Sequence, residues 1–140
     1  MMINITRTID NLDWSMVNEI FKSANFGDRG SENLKEIFSK SEYKSFAFDE
    51  KNKLIGFGRM LSDGKFYGAI YDVIVIPEMQ NCGIGKMIVN DLMEQGKHLL
   101  YVTLFATPGK MEFYKRLGFK KMSTAMLIPR SSRMEIDYCE

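Results

Sequence analysis

The stretch PEMQNCGIGK, Pro77 to Lys86, places Gln80, Gly83 and Gly85 between a strand-like run and an amphipathic helical pattern. Glycines let a backbone approach an anion closely, and the N–H groups that open a helix carry partial positive charge. Together they suit a pyrophosphate held without a metal. A Walker loop would need a glycine five residues before its Gly-Lys pair and a Ser or Thr after the lysine, where Gln80 and Met87 stand. A dinucleotide fingerprint would need a third glycine where Ile88 sits and an acidic residue closing the next strand, and LLYVTLFATPG has none. The remaining alternative is a glycine turn that merely starts a helix.

Other side chains could do chemistry. Asp72 interrupts Ile70, Ile74 and Ile76 on what strand alternation makes one face. An unpaired carboxylate there is costly, so it needs a partner or a cleft. Asp72 is therefore a candidate general base or a structural carboxylate, with Glu78 as a further candidate base. Alternation puts Tyr71 on the opposite face, where it can line an acceptor site. Cys82 and Cys139 lack metal-ligand spacing, and His98 has no other histidine to join it, so no metal site is expected.

The elements that position these residues follow from periodicity. INITRTI alternates as a weak first strand. Asp10 or Asn11 can cap a helix that buries Leu12, Met16, Val17, Ile20 and Phe21, and Ser31 opens another that buries Leu34, Ile37 and Phe38. Tyr43 to Phe48 and Leu54 to Leu61 read as a hairpin, followed by a turn at Asp63-Gly64 and a long strand from Tyr67 to Ile76. Ile84 to Gln95 is helical, with Ile84, Met87, Ile88 and Leu92 on one face. Leu99 to Phe105 has the composition of a buried strand. Thr107-Pro108 supplies a cap and first-turn proline for a helix from Lys110 to Leu117, ended by Gly118, and Phe119 to Met122 and Thr124 to Ile128 read as closing strands. The expected class is a mixed α/β fold, with no domain boundary within residues 1–140.

With 140 residues, 45% hydrophobic and 26% charged, the chain has the composition of an ordinary globular domain. A net charge of +1 supplies no global field for nucleic acid. MMINITRTIDNLDW lacks a signal-peptide layout and no run reaches membrane-spanning length, so a cytoplasmic protein without membrane partners is expected.

Taken together, YDVIVIPEMQNCGIGKMIVNDLM and, after the next strand, PGKMEFYKRLGF resemble the GCN5-related N-acetyltransferase (GNAT) family. The former is similar to its acetyl-CoA motif of strand, Q/R-x-x-G-x-G/A loop and helix. The latter is similar to its FY-x-x-LGF helix and strand. The resemblance implies a GNAT-like domain whose central, mostly antiparallel sheet is flanked by helices. In it the long strand and LLYVTLF run parallel and splay apart. Backbone groups of Val73, Ile74 and Val75 would then pair with the pantetheine amides of acetyl-CoA. Main-chain N–H groups from Asn81 through Cys82, Gly83, Ile84 and Gly85 to Lys86, after Gln80, would hold the pyrophosphate. Lys86, Lys110 and Lys115 are candidate 3′-phosphate neighbours. This chain departs from the pattern at Thr107 and Lys110, which replace an Asn and an Ala; Thr107 can cap the helix in the Asn's place.

Tyr114 matches the family tyrosine assigned as general acid for the departing thiolate, although Met111, Tyr114 and Leu117 also make an ordinary helical stripe. Direct transfer needs a neutral amine. An alkylamine with a pKa of ~10.4 is roughly one part in 2,500 neutral at pH 7, which gives a general base or a water relay work to do. The expected acceptor is a primary amine of a small molecule. Alternatives are a protein lysine or N-terminus, or a CoA-binding regulatory module without turnover. The acceptor pocket is expected at residues 25–31, including Phe26, Asp28 and Arg29, at residues 62–66 and at the C-terminal strands. A homodimer through those strands is a further expectation.

Overall fold

Short polar side chains fold the hairpins that build the sheet. In the computed structural model, which describes residues 2–140, Asp49 Oδ1 accepts from the N–H groups of Lys51 and Lys53 at 2.9 Å each, with Asn52 at φ 64°. This closes the turn between β2 (Tyr43–Phe48) and β3 (Leu54–Ser62). Asp63 closes the next one, its Oδ1 accepting from Lys65, Phe66 and Tyr67 N–H. The expected Asp-Gly hairpin is thus present, but the Asp63 carboxylate organises it as a wider loop. It leads into β4 (Tyr67–Val75).

The residues fall into two compact units, one up to Leu104 and one of Phe105–Glu140. The first holds a five-stranded sheet in the order β1-β2-β3-β4-β5, with β1 (Asn4–Thr6) and β5 (Tyr101–Thr103) at its edges. Neighbours are antiparallel except for β4 and β5, which run parallel. Helices α1 (Trp14–Ser23) and α2 (Ser31–Lys40) supply Phe21 and Phe38, whose rings lie 5.4 and 5.6 Å from that of Phe57. Helix α3 (Ile84–Gln95) covers the other face. An added methyl on Gly58 would lie 3.0 Å from Ile88 and 3.2 Å from Leu92, so the bare backbone admits the helix.

Several expectations change here. Asp13, rather than Asp10 or Asn11, caps α1 by accepting from Ser15 and Met16 N–H, and Met16 is exposed rather than buried. On α3, Val89 is buried while Met87 faces outward. The run from Leu99 to Phe105 is not buried: Leu100, Tyr101 and Phe105 are exposed, because β5 is an edge strand of only three residues.

The largest revision concerns β4. Phe57 pairs with Ile74, but Arg59 pairs with Tyr71, so three residues of β4 span two of β3. The extra residue is a bulge, with Asp72 at φ 57°. Strand alternation therefore breaks, and Ile70 and Ile74 lie on opposite faces rather than sharing one.

In the second unit, α4 (Met111–Arg116) ends in a Schellman motif: Phe119 N–H bonds Tyr114 O and Gly118 N–H bonds Lys115 O, with Gly118 at φ 101°. Thr107 does not cap it. The N-cap is Lys110, and Thr107 O accepts from Lys110 N–H in the preceding turn. The two closing strands are absent; residues 119–128 are irregular, and the chain ends with an unforeseen α5 (Ser132–Tyr138), capped by Ser131.

Candidate active site

The loop between β4 and α3 has a bare helix start. Asn81 and Gly83 both take left-handed backbone, at φ 64° and 84°, and Gly83 is the N-cap residue of α3. No side chain caps this helix and no acidic residue occupies its first turn. The opening N–H groups therefore keep their donors and their partial positive charge. A Cβ built on Gly83 meets nothing within 4 Å, which leaves open space against the loop. These features fit an anionic group such as the pyrophosphate of CoA. Among the described residues no cluster of His, Cys, Asp or Glu could hold a metal.

The remaining loop residues have distinct tasks. Gln80 turns its amide back onto the strand, donating from Nε2 to Val75 O at 3.1 Å. It braces the loop while its side chain stays exposed. Cys82 is exposed, its Sγ 3.6 Å from Gln80 O, and Lys86 is exposed in the first turn of α3. Ile84 is a core residue, so only its backbone can serve a ligand. Glu78 is exposed and lies 3.9 Å from Lys53 Nζ.

Upstream, the parallel ladder pairs Tyr67, Gly68 and Ala69 with Tyr101, Val102 and Thr103, whereas the ladder with β3 continues to Val75. Residues Val73 to Val75 thus extend β4 past its pairing with β5. Beside the shared stretch lies an open depression of about 450 Å³, bordered by Leu61, Asp63, Tyr67, Ala69, Tyr101 and Thr103. The rings of Tyr67 and Tyr101 stand 4.9 Å apart within it.

Asp72 has the partner its position demands. Its Oδ2 accepts from Arg59 Nε at 2.7 Å, with the two side chains 9% and 12% exposed. Arg59 Nη1 also donates to Ser41 Oγ at 3.3 Å, and the guanidinium carbon lies 5.6 Å from the Tyr71 ring centre. Tyr71 and Asp72, expected on opposite faces, both reach Arg59 because of the bulge. Arg59 was missed by sequence reasoning. The signal was a charged residue in phase with Phe57 on an apolar strand, as conspicuous as Asp72 on its neighbour.

Asp28, expected to face an acceptor, instead organises its own loop, accepting from Asn18 Nδ2 at 2.8 Å and Gly30 N–H at 3.0 Å. Arg29 packs over the rings of Phe21 and Phe26.

In the second unit, Tyr114 packs edge-on against Phe113 and Phe119, at 4.9 and 5.8 Å between centres. Burial raises its pKa above the ordinary phenol value, so it keeps its proton beyond the pH at which a free phenol ionises. Lys110 and Thr107 are exposed before α4, and Lys115 pairs with Glu112 at 3.4 Å.

The model of the acetyltransferase (GNAT) family matches residues 10–119, and the chain belongs to that family. An uncharacterized N-acetyltransferase, ycf52, of Pyropia yezoensis is 41% identical over 75 residues, covering 52% of this chain and 43% of that protein. Serotonin N-acetyltransferase 2, chloroplastic, of Oryza sativa is 30% identical over 120 residues, covering 82% of this chain and 60% of the relative. The chain thus spans about half the length of the curated relatives it matches. Among solved structures, a probable acetyltransferase of Staphylococcus aureus superposes with a TM-score of 0.80 at 23% identity, covering 91% of this chain and 99% of that one. The fold is that of GNAT acetyltransferases.

Proposed function

We propose that this protein is an N-acetyltransferase that moves the acetyl group of acetyl-CoA to a primary amine of a small molecule. The observation that carries the reading is the uncapped N-terminus of α3 behind Gly83, directly after β4. The family match runs from residue 10 to residue 119 and so crosses the division after Leu104, which supports treating both units as one catalytic domain.

Acetyl-CoA, when bound, supplies an activated thioester. The N–H groups of residues 81–86 hold its pyrophosphate, and the backbone of residues 73–75 receives the pantetheine arm. Lys86 is a candidate for the 3′-phosphate. Tyr114, a phenol protonated at neutral pH, holds the proton that a departing thiolate requires. Asp72, already ion-paired to Arg59, serves the site as a structural anion, and the proton of the attacking amine leaves through water.

One feature supports a small acceptor: a relative aligned over 82% of this chain is named a serotonin N-acetyltransferase. The test is release of CoA thiol from acetyl-CoA with a panel of arylalkylamines, amino sugars, polyamines and a lysine peptide. Turnover of at least one small amine is expected. Turnover of the peptide alone would remove the small-molecule assignment, and a folded protein that fails to bind acetyl-CoA would remove the enzyme.

A further inference from the structure

We infer that Arg59 is a positioning residue for acetyl transfer, holding the Asp72 bulge so that the backbone of Val73 to Val75 presents itself correctly. The inference rests on the acetyltransferase reading, but its physical basis is independent of it.

A non-glycine residue at φ 57° is strained, and Asp is among the few that tolerate it. Such a conformation persists only if its surroundings over-determine it. Arg59 supplies that determination. It projects from the β3 residue paired with Tyr71, immediately before the bulge, and its Nε meets Asp72 Oδ2 at 2.7 Å. Its own position is set from three sides: Ser41 Oγ at 3.3 Å, the Phe38 ring at 5.9 Å and the Tyr71 ring at 5.6 Å. Ser41 is in turn buried and donates from Oγ to Ile37 O at 2.7 Å. The clamp therefore runs from α2 through β3 to the bulge.

A largely buried ion pair is a poor device for stability alone, since matched apolar residues would serve as well. It is a good device for register. Without the bulge, a one-residue slip would exchange the faces of every residue from Val73 onward, and with them the directions of their N–H and C=O groups. Those are the groups assigned to the acyl arm, so a loosened bulge should misplace the reacting carbonyl while leaving the pyrophosphate loop intact.

The test uses Asp72→Gly, which accepts left-handed backbone without the tether, and Arg59→Met/Asp72→Gly, which leaves no charge stranded if the single variant does not fold. Acetyl-CoA affinity is read by calorimetry, kcat at saturating amine by thiol release, and amide exchange at Val73 and Ile74 by NMR. Val17→Ala, a core change in α1, serves as the control for lost stability. The expected result is a fall in kcat of about tenfold or more, a dissociation constant within about threefold of wild type, and faster exchange at Val73 and Ile74. The control should lose melting temperature with kcat retained. A folded variant with kcat within about twofold of wild type and unchanged exchange overturns the proposal. If the wild-type protein acetylates no amine, the exchange measurement still decides whether Arg59 holds the bulge, so the two readings fail separately.

Discussion

The two compact units are stabilised in different ways. Every apolar residue of the buried core, from Val17 to Leu92, belongs to the first, and no residue from Phe105 onward is fully buried. The first unit is held by non-local packing between sheet and helices. The second relies mostly on local devices: the Schellman motif after α4, the Ser131 cap, and ring pairs such as Tyr114 with Phe119 at 5.8 Å, with Phe105 against Tyr138 at 5.5 Å as a contact across the unit. The residues proposed for the chemistry divide along the same line, with the glycine loop in the first and Tyr114 in the second. Substitutions in the core should therefore register as lost stability, and those around α4 as lost rate.

Phe57→Ala puts this contrast under the greatest strain. Phe57 is fully buried against Phe21, Phe38 and Phe46, and its truncation should cost about 3–5 kcal/mol in denaturant unfolding. Met126→Ala, at a side chain 98% exposed, should stay within about 0.5 kcal/mol. A cost below about 1 kcal/mol at Phe57 would erase the distinction between the units.

Tyr114→Phe should show the converse. The ring and its packing remain, so the melting temperature should hardly move, while kcat falls by about 10²–10⁴-fold. Its pH dependence has a definite sign. In the unfolded chain the phenol ionises near about 10, and in the folded protein at a higher value. The stability linked to this group is thus complete below the unfolded value and declines as pH rises through the folded one. The wild-type rate should likewise lose its acid only above the ordinary phenol range, and the Phe variant should lack that limb. A Phe variant with unaltered kcat, where chemistry limits the rate, would return Tyr114 to a packing role.

A smaller effect separates loop geometry from loop chemistry. Gly83→Val and Gly27→Val both place a branched side chain at positive φ in open space, at φ 84° and 82°. Both should lose comparable stability, about 1–2 kcal/mol. Only Gly83→Val should weaken acetyl-CoA binding, by about tenfold. Equal affinity of the two variants in calorimetry would remove the cradle.

The smallest effect belongs to Arg7→Ala. Arg7 Nη2 lies 2.7 Å from Asp91 Oδ1 with the arginine side chain largely exposed, so its loss should cost at most about 1 kcal/mol and less in high salt. A loss of several kcal/mol would show that the first unit depends on its surface as well as its core.

Local chemistry was sufficient for much of this protein. The helices over residues 14–23, 31–40 and 84–95 follow from apolar spacing, and β2 begins and ends where alternation puts it. The glycine loop and the tyrosine motif were legible because a helix start and a short helix with its glycine stop are written in consecutive residues. Three things were decided by tertiary structure. The bulge at Asp72 depends on Arg59, thirteen positions away, and overrides the alternation that predicted which face each β4 residue occupies. The exposure of Leu100 and Tyr101 depends on β5 lying at the sheet edge, although the same run of residues would suit a central strand. The irregular path of residues 119–128 depends on the absence of a pairing ladder, since strand propensity is realised only when another strand supplies hydrogen bonds and cross-strand contacts. Period and caps are local properties of a chain; register, edges and ion pairs are relations between distant parts of it, and only the folded arrangement sets them.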